Sequence, residues 1–172
     1  MANEHARPTR ARGVLYIHSA PRALCPHLEW AIGRALGRAV NFDWSAQPVL
    51  DGAQRSEFYW DGPAGTGAAL ATAIRGWEHL RFEVTEDPTP GSEGGRWMHT
   101  PDLGIHYAQV DIAGNVVIGE DRLRYAMEIA AGSLSDLHHE LKVALGAAWD
   151  EELEPFRHAS DESTVVWLHK VG

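Results

Sequence analysis

The amino-acid sequence predicts an α+β protein with an antiparallel sheet, in which a ferredoxin-like βαββαβ unit is followed by a β-hairpin and two helices. Four segments of the first half are apolar runs or alternate between apolar and polar residues, which is typical of strands. Two other segments carry apolar residues at helical spacing. Strands and helices in this order are the signature of a split βαβ unit. With 172 residues, 44% of them hydrophobic, the chain is long enough to bury its own core.

Each element of the first half follows from its apolar pattern. The first strand is a continuous apolar run, and the three later strands alternate apolar with polar residues. Gly37 is a suitable C-cap for the first helix, and Pro63 suits the first position of the second. The predicted strands are 14–17, 40–45, 57–61 and 80–85, and the predicted helices are 24–36 and 63–77.

A segment rich in proline, glycine and acidic residues separates the two halves of the chain, as is typical of a linker. The first residues contain three arginines and no apolar pattern, which favours a frayed terminus. We therefore divide the chain into a disordered tail at 1–11, a βαββαβ unit at 12–87, a linker at 88–95 and a C-terminal αβ half at 96–172.

The C-terminal half begins with a short strand at 96–99. A hairpin then joins strands at 105–112 and 116–118, because Ala113-Gly114-Asn115 has good turn chemistry. A helix follows at about 120–130. Its inward-facing residues are expected to be Leu123, Met127 and Ala130.

A second helix is expected to start near Ser133, whose spacing to Asp136 resembles a capping box. A last strand is expected at 164–168. The apolar stripe of the second helix consists of Leu134, Leu137, Leu141, Leu145 and Ala148.

The first sheet has one face that is too polar to lie under an apolar layer. Burying several unpaired charges there would cost several kcal/mol each. We therefore expect the C-terminal half to extend the sheet or to pack beside it. The polar residues of this open face are Tyr16, His18, Asp43, Glu57, Tyr59, Arg81 and Glu83.

Composition excludes several classes of protein. The formal net charge is −9, and the basic residues form no stripe, so nucleic acid is not expected as the main ligand. No apolar run approaches the length of a membrane span, and we expect no secretory signal. A single cysteine excludes an internal disulfide and any cysteine-based zinc cluster. These features predict a cytoplasmic protein that contacts no membrane.

The densest cluster of reactive side chains lies where the first strand leads into the first helix. It contains His18, Arg22, Cys25 and His27. A thiol near a helix N-terminus favours the thiolate, and either histidine could serve as its base. Arg22 and free backbone N–H groups could instead hold an anion. A third interpretation is a small buried cysteine beside ordinary histidines, and the sequence leaves these alternatives open.

A second polar cluster surrounds the turn after the short strand at 96–99. His99 and His106 flank this turn, and Asp102 lies between them, which is enough for two imidazoles and a carboxylate. The sequence contains no established metal-binding motif, so we expect no metal and no cofactor. We interpret these residues as part of a site for a ligand or partner.

Two further sets of residues are candidates for a site. The carboxylates of the open face are Asp43, Glu57 and Glu83, and Arg81 could pair with one of them. Acid–base chemistry is one interpretation of these carboxylates, and solvated cross-strand charges are the commoner explanation. Among the seven tryptophans, Trp97 and Trp149 are the two that we expect to line a pocket or interface.

Three long segments of the chain carry a family resemblance: RGVLYIHSAPRALCPHLEW (12–30), GPAGTGAALATAIRGWEHLRFEVTEDPTPGSEG (62–94) and TPDLGIHYAQVDIAGNVVIGEDRLR (100–124). They are similar to an uncharacterised actinobacterial family, domain of unknown function 3145, over nearly the whole chain from Arg12 onward. The resemblance implies a cytosolic actinobacterial protein and a connection with fatty-acid metabolism. It implies no catalytic residues, because none is assigned in that family.

These observations predict a non-catalytic accessory or regulatory protein that binds a protein partner or a small acidic metabolite. The predicted site combines the loop at 18–27 with the turn at 99–106. The alternative is an enzyme that uses Cys25 with a histidine for acyl transfer or hydrolysis. A metal-dependent hydrolase is a third hypothesis. A homodimer stays open, because edge strands can pair across a two-fold axis.

Overall fold

The computed structural model describes residues 9–158. Within them, a seven-stranded sheet has antiparallel neighbours throughout, in the order β2-β3-β1-β4-β5-β6-β7. The strands are β1 (Arg10–Pro21), β2 (Ser45–Ala46), β3 (Ala53–Pro63), β4 (Arg81–Glu86), β5 (Gly94–Thr100), β6 (Gly104–Val110) and β7 (Val116–Val117). The helices are α1 (Cys25–Leu36), α2 (Thr66–Ile74), α3 (Glu120–Ala130), α4 (Leu134–Leu145) and α5 (Ala147–His158), and a 3-10 turn (Arg22–Leu24) precedes α1.

The hydrophobic core lies between α1, α2 and one face of strands β1, β3 and β4. Each of its fully buried aliphatic or aromatic side chains contributes about 1.5–3 kcal/mol to the stability of the fold. The largest of these side chains are Leu15, Ile17, Phe82 and Val84 from the sheet and Leu28, Ile32, Leu70 and Ile74 from the helices. This arrangement confirms the predicted α+β class and antiparallel sheet.

The segment predicted as the second strand, 40–45, is mostly irregular, and β2 has only two residues. The carboxylate of Glu29 on α1 accepts hydrogen bonds from the Phe42 backbone N–H at 2.9 Å and from Trp44 Nε1 at 3.0 Å. The helix therefore holds this segment, which the sheet pairs only at Ser45 and Ala46. The first four strands lie in the order β2-β3-β1-β4. The ferredoxin-like detail stays a prediction, because its second strand is so short.

The segment predicted as a linker, 88–95, is a turn between two paired strands. Thr89 and Ser92 exchange backbone hydrogen bonds of 2.8 and 3.0 Å, and β5 already begins at Gly94. Strand β5 pairs with β4 and continues the sheet into the second half, as the polar open face predicted. At the other end, β1 starts at Arg10, two residues before the expected boundary of the tail.

The second half contains three described helices where the sequence predicted two. Gly146, with a φ of 75°, ends α4, and α5 starts at the next residue. The prediction joined them because the apolar stripe continues to Ala148. The Ser133 hydroxyl accepts a hydrogen bond from the Asp136 N–H at 3.3 Å, which confirms the predicted cap. The strand expected at 164–168 lies outside the described residues.

The predicted inward face of α3 is correct at Ala130 and wrong at Leu123 and Met127. Met127 is 66% exposed and Leu123 is also exposed, whereas the small residues Ala126 and Ala130 are buried. On α4 no residue is fully buried, and Leu134 is 81% exposed. These helices therefore leave large apolar side chains in contact with solvent.

No helix among residues 9–158 is both long enough and apolar enough to cross a lipid bilayer.

Candidate functional site

A cavity of about 450 Å³ opens on the face of the sheet that points away from α1 and α2. We call it the α5 cleft, because Arg157 of α5 forms part of its wall. The cleft is within the volume range of small-molecule sites. Its lining residues are Tyr16, His18, Arg55, Ser56, Glu57, Glu83, Thr85, Arg96 and Arg157.

Glu83 on β4 is the buried centre of the α5 cleft, with a residue exposure of only 5%. Its Oε2 accepts hydrogen bonds from His18 Nε2 at 2.7 Å and from Arg157 Nε at 2.9 Å. Its Oε1 accepts from Arg96 Nη2 and Arg157 Nη2, both at 2.7 Å. Burial alone would raise the pKa of Glu83, but the hydrogen bonds and charges of His18 and Arg157 lower it far below its usual value.

Asp150 is the second anion that fixes the two arginines. Its Oδ1 accepts from Arg96 Nη2 and from Arg157 Nη2, each at 2.9 Å. Because Asp150 and Arg157 both belong to α5, these bonds connect the helix to strands β4 and β5. Buried charges need this kind of pairing, since an unpaired one is strongly destabilising. The network therefore holds both guanidinium groups in fixed positions at the cleft.

Arg55 on β3 also lines the cleft, but it differs from the other two arginines. Among residues 9–158 it has no carboxylate partner, and its side chain is half-buried. The ring of Tyr16 is stacked on His18, with centroids 5.9 Å apart and planes within 3°. Burial, followed by the charges of Glu57 and Glu83, raises the pKa of Tyr16, so its hydroxyl stays protonated at neutral pH.

The arginines that line the cleft are balanced by carboxylates. Three guanidinium groups, Arg55, Arg96 and Arg157, face the lining carboxylates Glu57 and Glu83, and Asp150 is a third carboxylate that binds two of the three. The whole chain has a formal net charge of −9. The cleft therefore does not share the negative charge of the chain as a whole.

The structure places the seven predicted site residues in several different environments. His18 is in the α5 cleft, and His106 lies on the same side of the sheet, with its ring 4.7 Å from that of Trp149. His99 lies on the opposite side, stacked on Phe82 at 5.0 Å. The residues with exposed side chains are Arg22, His27 and Asp102.

The two histidines that flank the turn do not converge. His99 pairs with Ile105 and Met98 pairs with His106, and neighbouring residues of a strand point to opposite faces. His99 Nδ1 contacts the Leu80 carbonyl oxygen at 2.9 Å, inside the core. Across the described residues, no group of three or more metal-binding side chains comes together. The hypothesis of a shared site between these histidines therefore has no geometric support.

Cys25 lies at the start of α1, as predicted, but it is buried. Its Sγ is 3.8 Å from the Pro21 carbonyl oxygen. Burial and the charge of Glu29 raise the pKa of the Cys25 thiol, and they outweigh the opposite effect of Arg22. A nucleophilic cysteine needs a lowered pKa and access to solvent. The geometry therefore counts against the thiol enzyme.

Sequence reasoning missed three members of the charge network: Arg96, Asp150 and Arg157. The sequence places Glu83 on the open face of the sheet. A carboxylate that is buried there requires partners, and this requirement was the signal that partners were missing. Arg81, which the sequence offers as a partner for one of the open-face carboxylates, instead donates a hydrogen bond to Ser19 Oγ at 3.3 Å.

Trp97 and Trp149, which the sequence predicts to line a pocket or interface, both make contacts that hold the fold together. Trp97 packs against the core and against Tyr107, with centroids 5.0 Å apart. Trp149 Nε1 donates a hydrogen bond to the Gly104 carbonyl oxygen at 3.0 Å, which ties α5 to β6. Neither residue lines the α5 cleft.

Comparison with known proteins gives a family but no described relative. No curated protein matches the chain, and no solved structure matches it. A family described as "Protein of unknown function (DUF3145)" matches residues 14–170, which is most of the chain. The chain therefore belongs to the DUF3145 family.

Proposed function

We propose that this protein is a non-catalytic accessory or regulatory protein that binds a small anionic ligand in the α5 cleft. The observation that carries the proposal is Arg55, a cation that lines the cleft and has no carboxylate partner among the described residues. Carboxylates and phosphates form strong, charge-assisted hydrogen bonds with guanidinium groups. A small acidic metabolite would supply the missing partner.

The rest of the cleft supports binding rather than a reaction. Glu83 is held as a carboxylate by three partners, so it is a poor candidate for proton transfer at neutral pH. Arg96 and Arg157 are fixed before any ligand arrives, which lowers the entropic cost of binding. Tyr16 adds a protonated hydroxyl at the same cavity. These groups orient an anion and supply no nucleophile.

The test is a titration of the full chain with inorganic phosphate and with succinate, followed by calorimetry and by amide chemical shifts in NMR. We expect the shifts to cluster on β1, β3 and β4 around the cleft. Arg55→Gln should weaken binding about ten-fold or more, because a hydrogen bond to a charged group contributes about 1.5–3 kcal/mol.

Arg75→Gln is the matched control, because it removes the same charge from an exposed residue at the end of α2. Its affinity should equal that of the unchanged protein. Equal losses of affinity in both variants would mean that the overall charge of the protein, and not the position of Arg55, determines binding. No binding of either probe, or binding that is indifferent to Arg55→Gln, would refute the proposal.

A further inference from the structure

A second cavity adjoins the α5 cleft on the same face of the sheet, and its volume is about 700 Å³. Tyr16, Thr85 and Arg96 line both cavities, so the two cavities meet at these residues. We call the second cavity the hairpin groove, because residues of the hairpin that joins β6 to β7 line its far end. The α5 cleft therefore continues across the sheet beyond Arg96.

The far end of the hairpin groove is apolar. Val110 lies two residues from Ala108, which pairs with Arg96, so Val110 and Arg96 are on the same face of the sheet. Ile112, in the turn after β6, is 94% exposed. Apolar side chains that stay accessible beside a cavity are typical of a binding groove. The apolar residues that line the groove are Val14, Pro88, Val110, Ile112 and Val116.

The charges of the hairpin groove differ from those of the α5 cleft. Apart from Arg96 at the shared boundary, the charged residues that line the groove are the carboxylates Glu86, Asp87 and Asp111. Arg12 Nε binds Asp87 Oδ2 at 3.1 Å, but Arg12 does not line the groove. An anionic group at the far end would therefore meet apolar side chains and other carboxylates.

The two cavities together extend over five strands of the sheet. Arg55 lies on β3 and Val110 lies on β6, and strands β1, β4 and β5 are between them. Four steps between neighbouring strands, each of about 4.8 Å, correspond to about 19 Å across the sheet. A phosphate or succinate ion is much shorter than this. A ligand that contacts both cavities must therefore be elongated.

We infer that the ligand is an elongated monoanion, whose anionic group binds Arg55 in the α5 cleft and whose apolar chain lies in the hairpin groove. This inference rests on the proposed function, because the α5 cleft holds the charged end. Charge complementarity sets the orientation of the ligand. The cation without a carboxylate partner among residues 9–158 is at one end, and apolar side chains and carboxylates are at the other.

The test is calorimetry of the full chain with butyrate, hexanoate and octanoate, below the concentrations at which these ions form micelles. Affinity should rise about two- to four-fold for each added methylene, since the groove buries part or all of each one. Octanedioate is the matched ligand, because a second carboxylate replaces the terminal methyl of octanoate. It should bind about ten-fold more weakly than octanoate or worse, because that carboxylate loses its hydration without gaining a cation.

Val110→Glu should remove the gain with chain length and change the affinity for butyrate by less than about two-fold, because butyrate reaches only the α5 cleft. Val117→Glu is the matched control, since it adds the same charge to the same hairpin. Val117 does not line the hairpin groove, and it points to the opposite face from its neighbour Val116. The gain with chain length should be unchanged in this control. Ile112→Glu replaces Val110→Glu if that variant does not fold, because Ile112 is exposed.

The possible results separate this inference from the proposed function. Equal affinities for butyrate and octanoate, both still weakened by Arg55→Gln, would overturn the inference and leave the proposed function intact. Absence of binding by every carboxylate would overturn both. A gain with chain length that survives Val110→Glu and Ile112→Glu, or that Val117→Glu removes equally, would also overturn the inference.

Discussion

Glu83 is a buried carboxylate whose three partners come from different parts of the chain. His18 lies on β1, Arg96 on β5 and Arg157 on α5. Its removal would leave two partly buried guanidinium groups with fewer acceptors, and breaking a buried ion pair in this way costs about 3–5 kcal/mol. We expect Glu83→Gln to lower the free energy of unfolding by about 3 kcal/mol, measured by urea denaturation.

Glu57→Gln is the matched control for this variant. Glu57 is exposed and also lines the cleft, and it accepts a hydrogen bond from the Tyr59 hydroxyl. Its change should stay within about 0.5 kcal/mol, as for most surface substitutions. Similar losses for the two glutamates would mean that the network around Glu83 contributes little to stability.

The same carboxylate makes stability depend on pH. The folded pKa of Glu83 lies below its ordinary value of 4.5, so the unfolded chain binds a proton at a higher pH than the folded protein does. The stabilisation is therefore complete above that ordinary value and is lost as pH falls below it. We expect the loss of unfolding free energy between about pH 5 and pH 3 to be smaller in Glu83→Gln. Parallel curves for the two proteins would contradict this assignment.

At the scale of elements, Gly146 separates α4 from α5 and sets the start of the helix that carries Asp150 and Arg157. Its φ is 75°, and an added Cβ would lie 2.7 Å from His106 Cδ2 and from Met98 Cε. We expect Gly146→Ala to destabilise the fold by about 2–3 kcal/mol, from the left-handed conformation and the overlap together. Thermal unfolding measures the change.

Gly114→Ala separates these two causes. Gly114 has a φ of 86° in the turn between β6 and β7, and nothing lies within 4 Å of an added Cβ. Its substitution should cost only about 1–2 kcal/mol, from the conformation alone. If Gly146→Ala costs no more than Gly114→Ala, the contact with His106 is unimportant.

The sequence predicted the elements whose apolar pattern is local, and it missed those that tertiary contacts decide. Strand β1 and helix α1 follow from runs and stripes that are visible in the printed residues. The irregular segment before β2 does not, because the carboxylate of Glu29 holds it from another element. The sequence prediction missed the end of α4, although glycine commonly terminates helices and Gly146 lies at this position.

The residues of the candidate site divide in the same way, into those that the sequence identifies and those that only tertiary contacts bring together. His18 was identified from sequence, and it lies in the cleft. Arg96, Asp150 and Arg157 were not, because their meeting with Glu83 depends on how α5 lies across β4 and β5. Hydrophobic periodicity indicates which face of an element is buried, but it does not indicate which distant element covers a polar face. His99, which the sequence groups with the turn, contacts the Leu80 carbonyl oxygen in the core through its Nδ1.

At the scale of the whole molecule, burial is unevenly distributed between the first half and the α3–α4 pair. The sheet and its two core helices contain most of the fully buried side chains, whereas α3 buries only Ala126 and Ala130, and α4 has no fully buried residue. Segments with few buried apolar contacts open locally at a lower free energy than the core does.

We therefore expect amides of α3 and α4 to exchange with solvent faster than those of β1 and β4, measured by hydrogen–deuterium exchange of the isolated protein. Strand β6 is the internal reference for the exchange rates. Strand β5 pairs with it along its whole length, whereas β7 pairs with only one end of it. Equal protection of α3, α4 and the central strands would contradict this expectation and would mean that the exposed apolar side chains of these helices are already covered in solution.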